Sequence, residues 1–229
     1  MDDYLQECLK AGATQVVSLG AGLDSRAYRN DLMQGAIKFF EVYHPATQAH
    51  KKERAKKVLG KIPPNLTYVP VDFNLETLDK LLEYGFDKSM VTLFIWEGVT
   101  QLLKAEAVDR TLSWVQANAL PVSSIIFDYQ YLSSAMRVQT ERNIMCAVLS
   151  RISGEKRTFG ITKGEIVDFL TRKGFRQVVE VNAAQLKRLY CTSSNQGRKV
   201  TENYAMVRAE VGERDAPDND HRSSWSVSL

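Results

Sequence analysis

Val16-Val17-Ser18-Leu19-Gly20-Ala21-Gly22-Leu23-Asp24-Ser25-Arg26 decides how this chain is read. A short apolar run ends in two glycines one residue apart, and an acid follows two positions after the second. A buried strand that turns sharply into a helix, with its backbone open to a ligand, needs residues without a Cβ at the turn. A second apolar run, Phe39-Phe40-Glu41-Val42, places an acid nineteen residues after Gly22. A glycine turn with an acid about 20 residues downstream marks a nucleoside-binding α/β half-domain.

The rest of the composition narrows the class. The 229 residues suit one domain, and 44% hydrophobic with 25% charged residues is ordinary for a globular chain. A net charge of +3 is too small to argue for a nucleic-acid partner. No apolar run approaches the ~20 residues of a membrane span, and Met1-Asp2-Asp3-Tyr4 lacks the basic start of a secretory signal. Cys8, Cys146 and Cys191 are scattered and odd in number, which fits free thiols in a reducing, cytoplasmic setting. His44, His50 and His221 form no metal-binding motif, so no metal is expected.

Outward from the glycine turn, apolar runs alternate with helical patterns. Strands are expected at about 15–19, 38–43, 68–71, 91–96, 124–127, 175–181 and 199–208. Pro70 favours an edge position for the third. Helices are expected at 2–12, from about Ser25, over 45–59 with Gly60 as its stop, from Asn74 through Leu75, Leu78 and Leu82, over 104–119, over 131–151, and from Thr162 behind a capping box closed by Glu165. In the helix over 45–59, Ala46, Ala49, Val58 and Leu59 are expected inward, with the charges of Lys51-Lys52-Glu53-Arg54-Ala55-Lys56-Lys57 in solvent. Alternation of this kind predicts a Rossmann-like, seven-stranded, mostly parallel sheet with helices on both faces and an antiparallel last strand. One domain over residues 1–211 and a disordered tail over 212–229 complete the expectation. Ligands of such sheets bind beyond the carboxyl ends of the strands. Gly20–Asp24, Glu41–His44, Asp72–Phe73 and Glu97–Gly98 are four such ends.

In order and spacing these ends resemble the cofactor motifs of class I S-adenosylmethionine-dependent methyltransferases. The nearer resemblance is to the leucine carboxyl methyltransferase-like family, which includes O-methyltransferases linked to polyketide biosynthesis. Gly20 to Arg29 is similar to that family's G-A-G-x-D-[TS]-R-x-[FY]-R. Glu41-Val42-Tyr43-His44-Pro45 stands where the family has E-V-D-x-P, Asp72 where it has an acid, and Glu97-Gly98-Val99 where it has E-G-V. The likeness extends over about residues 14–210. It implies S-adenosyl-L-methionine as cofactor and an oxygen methyl acceptor, either a carboxylate or a hydroxyl, on a small molecule or a peptide C-terminus. Two positions depart from it. Tyr43 replaces the acid that holds the ribose hydroxyls, and a phenol gives one hydrogen bond where a carboxylate gives two. Only about 14 residues precede the first strand, where members carry several dozen, so a shortened N-terminal region is expected.

The resemblance makes Gly20, Ala21, Gly22, Asp24, Glu41, Tyr43, Asp72, Phe73, Glu97 and Gly98 the candidate cofactor contacts. Alternation puts Glu41 on the same face of its strand as Tyr43. Glu97 is expected at the buried end of an apolar strand, where a lone carboxylate is costly, which favours a ligand role. Asp24 and Asp72 read equally as helix or turn caps, and Arg26 and Arg29 chiefly as ion-pair residues. Trp96, Tyr129 and Tyr131 read first as core and second as lining of an acceptor pocket. His44 and Tyr129 are the candidates for a catalytic role. No residue is demanded as a general base, which favours an acceptor that is already ionised. Two other readings stay open on the residues: a binding protein that has lost catalysis, and a nicotinamide-dependent dehydrogenase, which the acids at 72 and 97 disfavour.

Overall fold

The computed structural model describes residues 1–29, 37–132 and 158–213. Its strands are β1 (Gln15–Leu19), β2 (Lys38–Tyr43), β3 (Leu66–Pro70), β4 (Thr92–Trp96), β5 (Ser124–Gln130), β6 (Phe175–Asn182) and β7 (Tyr204–Val211). They form one seven-stranded sheet in the order β3-β2-β1-β4-β5-β7-β6. The first five pair in parallel, and β7 lies antiparallel to both β5 and β6. The expected sheet and its antiparallel last strand are therefore present. β3, with its Pro70, is an edge strand, where a missing N–H leaves no ladder bond unmade.

The strand order reverses at β1. The chain winds from β1 outward through β2 to β3, then returns to place β4 on the other side of β1. That reversal leaves a crevice beyond the carboxyl ends of β1 and β4, where the connections diverge.

Period-two alternation sends residues to two cores. Val17, Leu19, Phe40, Val42, Phe94, Trp96, Ile125 and Phe127 meet Val108, Leu112 and Val115 of α4 (Ala105–Asn118) on one face. Val16, Phe39, Leu93, Ile95 and Ile126 meet Leu5 of α1 (Asp2–Lys10) on the other. Helix α2 spans Pro45–Leu59, and its proline at the first position loses no hydrogen bond.

Several local expectations are corrected. The helix expected from Asn74 shrinks to α3 (Lys80–Glu83). Leu75 is 81% exposed, because residues 72–79 turn around the Asp72 carbonyl instead of continuing a helix. The box at Thr162–Glu165 is a turn through Gly164 at φ +91°, and α5 (Ile166–Thr171) starts after it without a side-chain cap. The capping box that does form belongs to Asn182 and Gln185, at the start of α6 (Ala183–Tyr190). β5 runs three residues further than expected, and β7 begins later, at Tyr204. In α2 the expected inward set is wrong: Val58 is 78% exposed, whereas Gln48 and Lys51 are buried. After Ser25 the chain makes a short 3-10 turn, Arg26–Tyr28. The long helix expected at 131–151, Cys146 and nearly all of the tail expected after 212 lie outside the described residues. Among the described residues no helix is long and apolar enough to cross a membrane, and no group of three or more His, Cys, Asp or Glu side chains is placed to hold a metal.

Candidate functional site

The loop after β1 is built by two left-handed glycines. Gly20 has φ +72°, and a Cβ there would fall 2.3 Å from Cγ2 of Val99, so the loop after β4 packs directly on it. Gly22 has φ +44°, a backbone conformation that strains any side chain, and the Tyr43 ring packs beside it, 3.8 Å from where a Cβ would stand. Any side chain at these positions would be strained, clashing or both. The amides of Gly20 and Ala21 donate to the carbonyl of Val42, at 2.8 and 3.1 Å, which ties the loop to the end of β2.

A cleft of about 380 Å³ opens over this loop, within the range of small-molecule sites. Its walls are Ser18 through Arg26 together with Glu97. Gly20, Ala21, Gly22, Asp24 and Glu97 of the expected set thus meet in one place. Tyr43 stands against Gly22 at its side, and Gly98 follows Glu97 with open space where its side chain would be.

Arg26 organises the charges. Its guanidinium lies 2.6 Å from Asp2, 2.8 Å from Asp24 and 2.6 Å from Glu97. Arg29 adds a second contact to Asp2 at 2.5 Å. Partial burial works against the charged form of Asp2, but hydrogen bonds from Arg29 and Arg26 prevail and hold its carboxyl at about 2. Asp24 is fully used: one oxygen accepts from the Arg26 amide at 2.9 Å, the other from the Arg26 side chain and, at 3.4 Å, from Ser18. Its role is to set the loop. Glu97 corrects the expectation of burial, since its side chain is 45% exposed and already paired. The segment before β1 contributes an acid, Asp2, to this network.

The end of β2 departs most from the sequence reading. Glu41 does not reach the cleft. It is buried, 2.7 Å from the ammonium of buried Lys51. Gln48 donates to the Glu41 carbonyl at 3.1 Å, and the phenols of Tyr28 and Tyr68 bond to each other at 2.7 Å beside the pair. Burial outweighs the lysine and lifts the Glu41 carboxyl to about 7. The reason Glu41 turns inward is Lys51, in the second turn of α2, whose ammonium is its countercharge.

At the end of β3, Asp72 caps its own turn by accepting from the Asn74 amide at 3.0 Å, and its second oxygen lies 3.8 Å from Nε2 of half-exposed His44. His44 and Asp72 share this rim but not the cleft walls. Phe73 is corrected to a core residue: its ring stacks on Trp96, 6.1 Å between centroids, inside the sheet–helix layer. Tyr129 is likewise buried. It donates to Glu180 at 2.8 Å, and Tyr131 donates to the same oxygen at 2.6 Å. Burial and that carboxylate raise both phenols, so Tyr129 is no ready proton donor or acceptor.

One functional candidate was missed. Asp128, near the end of β5, accepts from the Gly98 amide at 2.7 Å, and burial chiefly, with Glu97 nearby, raises its carboxyl. The signal was available in sequence: an acid directly after the strand expected at 124–127.

A sequence profile of the leucine carboxyl methyltransferase family matches residues 1–116. YktD of Bacillus subtilis (strain 168), named as an S-adenosyl-L-methionine-dependent methyltransferase, is 39% identical over 129 residues, covering 56% of this chain and 42% of its own. A Mycobacterium avium (strain 104) protein with the same kind of name is 28% identical over 179 residues, covering 76% and 59%. The chain thus spans roughly half the length of such relatives. Among solved structures, the methyltransferase domain of bacterial CtHen1-C superposes with a TM-score of 0.58 at 11% identity over 93% of this chain and 96% of that one. The Haemonchus contortus phosphoethanolamine N-methyltransferase 2, solved with S-adenosylhomocysteine, gives 0.57 at 14% identity over 92% and 53%. At these identities the superpositions speak for the fold.

Proposed function

The chain belongs to the leucine carboxyl methyltransferase family, and from that premise we propose that residues 1–211 form one domain that binds S-adenosylmethionine in the cleft over Gly20–Arg26. The observation that carries this reading is the convergence of the glycine loop, Asp24 and Glu97 on one cleft with Tyr43 at its side. The open backbone of Gly20, Ala21 and Gly22 suits the methionine part of the cofactor. Glu97, exposed and acidic, suits its amino group and the positive sulfonium. Tyr43 offers a ribose hydroxyl a single hydrogen bond, and Asp72 on the neighbouring rim suits the adenine amine.

Bound there, the cofactor supplies an electrophilic methyl group. The chain's own residues then orient the acceptor oxygen in line with it and keep water out, and positioning of this kind is worth up to roughly 7–11 kcal/mol. The acceptor is an oxygen, of a carboxylate or a hydroxyl, on a small molecule or a peptide C-terminus. Calorimetric titration with S-adenosylmethionine and with S-adenosylhomocysteine tests the reading. Saturable 1:1 binding of both, weakened by Glu97→Gln, is expected. Absence of heat at millimolar ligand overturns it.

A further inference from the structure

Gln130 ends β5 without solvent exposure, and among the described residues neither its Oε1 nor its Nε2 has a hydrogen-bond partner. A buried amide that spends neither its donor nor its acceptor bears the desolvation of both, and such groups call for a reason. Its place suggests one. Alternation puts Gln130 on the face of β5 that carries Asp128, opposite the face of Tyr129 and Tyr131. β5 runs parallel to β4 with Phe127 beside Trp96, so Asp128 stands next to Glu97 and Gly98. Glu97 is a wall of the cleft. Gln130 therefore lies about 7 Å beyond Asp128, buried behind the cleft wall formed by Glu97, at the carboxyl end of the strand where ligands of such sheets lie. The Thr100–Leu102 turn closes the same corner. Thr100 donates to the Asp128 carbonyl at 2.6 Å, and the side chain of Gln101 holds another buried oxygen without a partner among the described residues.

We propose that Gln130 determines which methyl acceptor is taken, and that the acceptor is a neutral hydroxyl compound with a carbonyl beside an O–H or N–H donor, not a carboxylate. This rests on the methyl-transfer reading above and decides between its two oxygen classes. A primary amide with both atoms unspent matches one acceptor and one donor side by side, and the match survives exchange of its O and N. A carboxylate satisfies the Nε2 alone and brings a third acidic group next to Asp128 and Glu97. In the transfer the hydroxyl oxygen forms the new C–O bond while the methyl's C–S bond breaks, sulfur keeps the electron pair, and the hydroxyl proton passes to the Asp128 carboxylate. The raised affinity of Asp128 for a proton suits that task.

Two probes and two variants test this. The chain is incubated with methyl-labelled S-adenosylmethionine and either salicylamide, a phenol flanked by a carboxamide, or N-acetylleucine, a carboxylate. Alkali releases methanol from an ester and leaves an ether intact. Base-stable label from salicylamide is expected, reduced at least tenfold by Gln130→Leu and by Asp128→Asn, with S-adenosylhomocysteine binding unchanged in both. Gln130→Leu is also expected to melt no lower than the parent chain, since it removes an unspent amide. Base-labile label from N-acetylleucine alone, transfer to neither probe while S-adenosylhomocysteine binds, or undiminished transfer by Gln130→Leu overturns the proposal. So does a lower melting temperature for Gln130→Leu, which would mean that the amide has partners inside the fold. Failure of the parent chain to bind S-adenosylhomocysteine overturns the cofactor reading instead, and the melting comparison still judges Gln130.

Discussion

Glu41 and Glu97 end neighbouring parts of the same sheet, and each does what was expected of the other. Glu97 follows an apolar strand and should be buried. It is half exposed, and Arg26 reaches it across the cleft. Glu41 should reach the crevice beside Tyr43. It is buried instead with Lys51. The strand patterns around the two acids are alike. The difference lies in where the nearest cation is anchored. Arg26, in the loop after β1, is itself buried, but two of its three carboxylates, Asp2 and Glu97, meet it from the solvent side with nearly half of each side chain exposed. Lys51 sits on the inner side of α2 and draws Glu41 inward. A countercharge supplied from a distant segment overrides the local pattern, because an unpaired buried charge costs more than a residue's preference for one face.

Of the substitutions that probe this contrast, Lys51→Met is the most damaging. It leaves Glu41 buried and alone, and should cost about 3–5 kcal/mol in urea-induced unfolding. The double variant Lys51→Met with Glu41→Leu should recover most of that loss, since a well-packed apolar pair replaces the ions. If the single variant costs less than about 1 kcal/mol, Glu41 is not held by Lys51 and the contrast with Glu97 fails.

The two regions should also respond to pH in opposite senses. Glu41 is raised from 4.5 to about 7, so between those values the folded chain holds more protons than the unfolded chain. Its contribution to stability is fully present below about 4.5 and is lost as pH rises through about 7, on the order of 3 kcal/mol at 1.36 kcal/mol per unit. Asp2 is lowered from 3.8 to about 2, so its contribution is present above 3.8 and is lost as pH falls through about 2. Being half exposed, Asp2 should contribute the smaller effect. Denaturant midpoints of the parent chain and Glu41→Gln between pH 4.5 and 8 check this, with the decline toward alkaline pH absent in the variant.

Arg26→Gln sharpens the other side. Three carboxylates lose their common partner, but two of them are half exposed, so about 2 kcal/mol of stability should go. Binding of S-adenosylmethionine, measured by calorimetry, should weaken with it as Glu97 and the loop lose their positions. Tyr43→Asp should have the smallest effect, and in the opposite direction. A carboxylate in place of the phenol can take both ribose hydroxyls, and roughly tenfold tighter binding, about 1.4 kcal/mol, is expected. Unchanged affinity would mean that the phenol already serves.

The sheet was legible because strand-forming runs are consecutive in sequence and their alternation is short-range. Val16–Leu19, Phe39–Val42 and Val91–Trp96 needed no distant partner to be recognised. The glycine loop was legible for the same reason: Gly20 and Gly22 state a backbone requirement in place. What failed depended on remote contacts. Lys51 is inward, paired with Glu41 in β2, whereas Val58 and Leu59 are exposed at the end of the same helix. Leu75 shares a helical face with Leu78 in sequence, yet Asp72 and Glu76 turn the backbone first, the Asp72 amide donating to the Glu76 carboxylate at 2.8 Å. Asp128 was passed over although it directly follows the strand expected at 124–127; the amide of Gly98, which ties it to this corner, lies thirty residues away.

The contact between Gly20 and Val99 has a mechanical consequence. With a Val99 methyl occupying the place of a Gly20 side chain, the first and fourth connections share one clearance and cannot be displaced separately. Any ligand that lifts the former must drag the latter, and with it the Thr100 anchor on β5. Seating of a nucleoside and shaping of the opposite wall are thereby geared together through one valine.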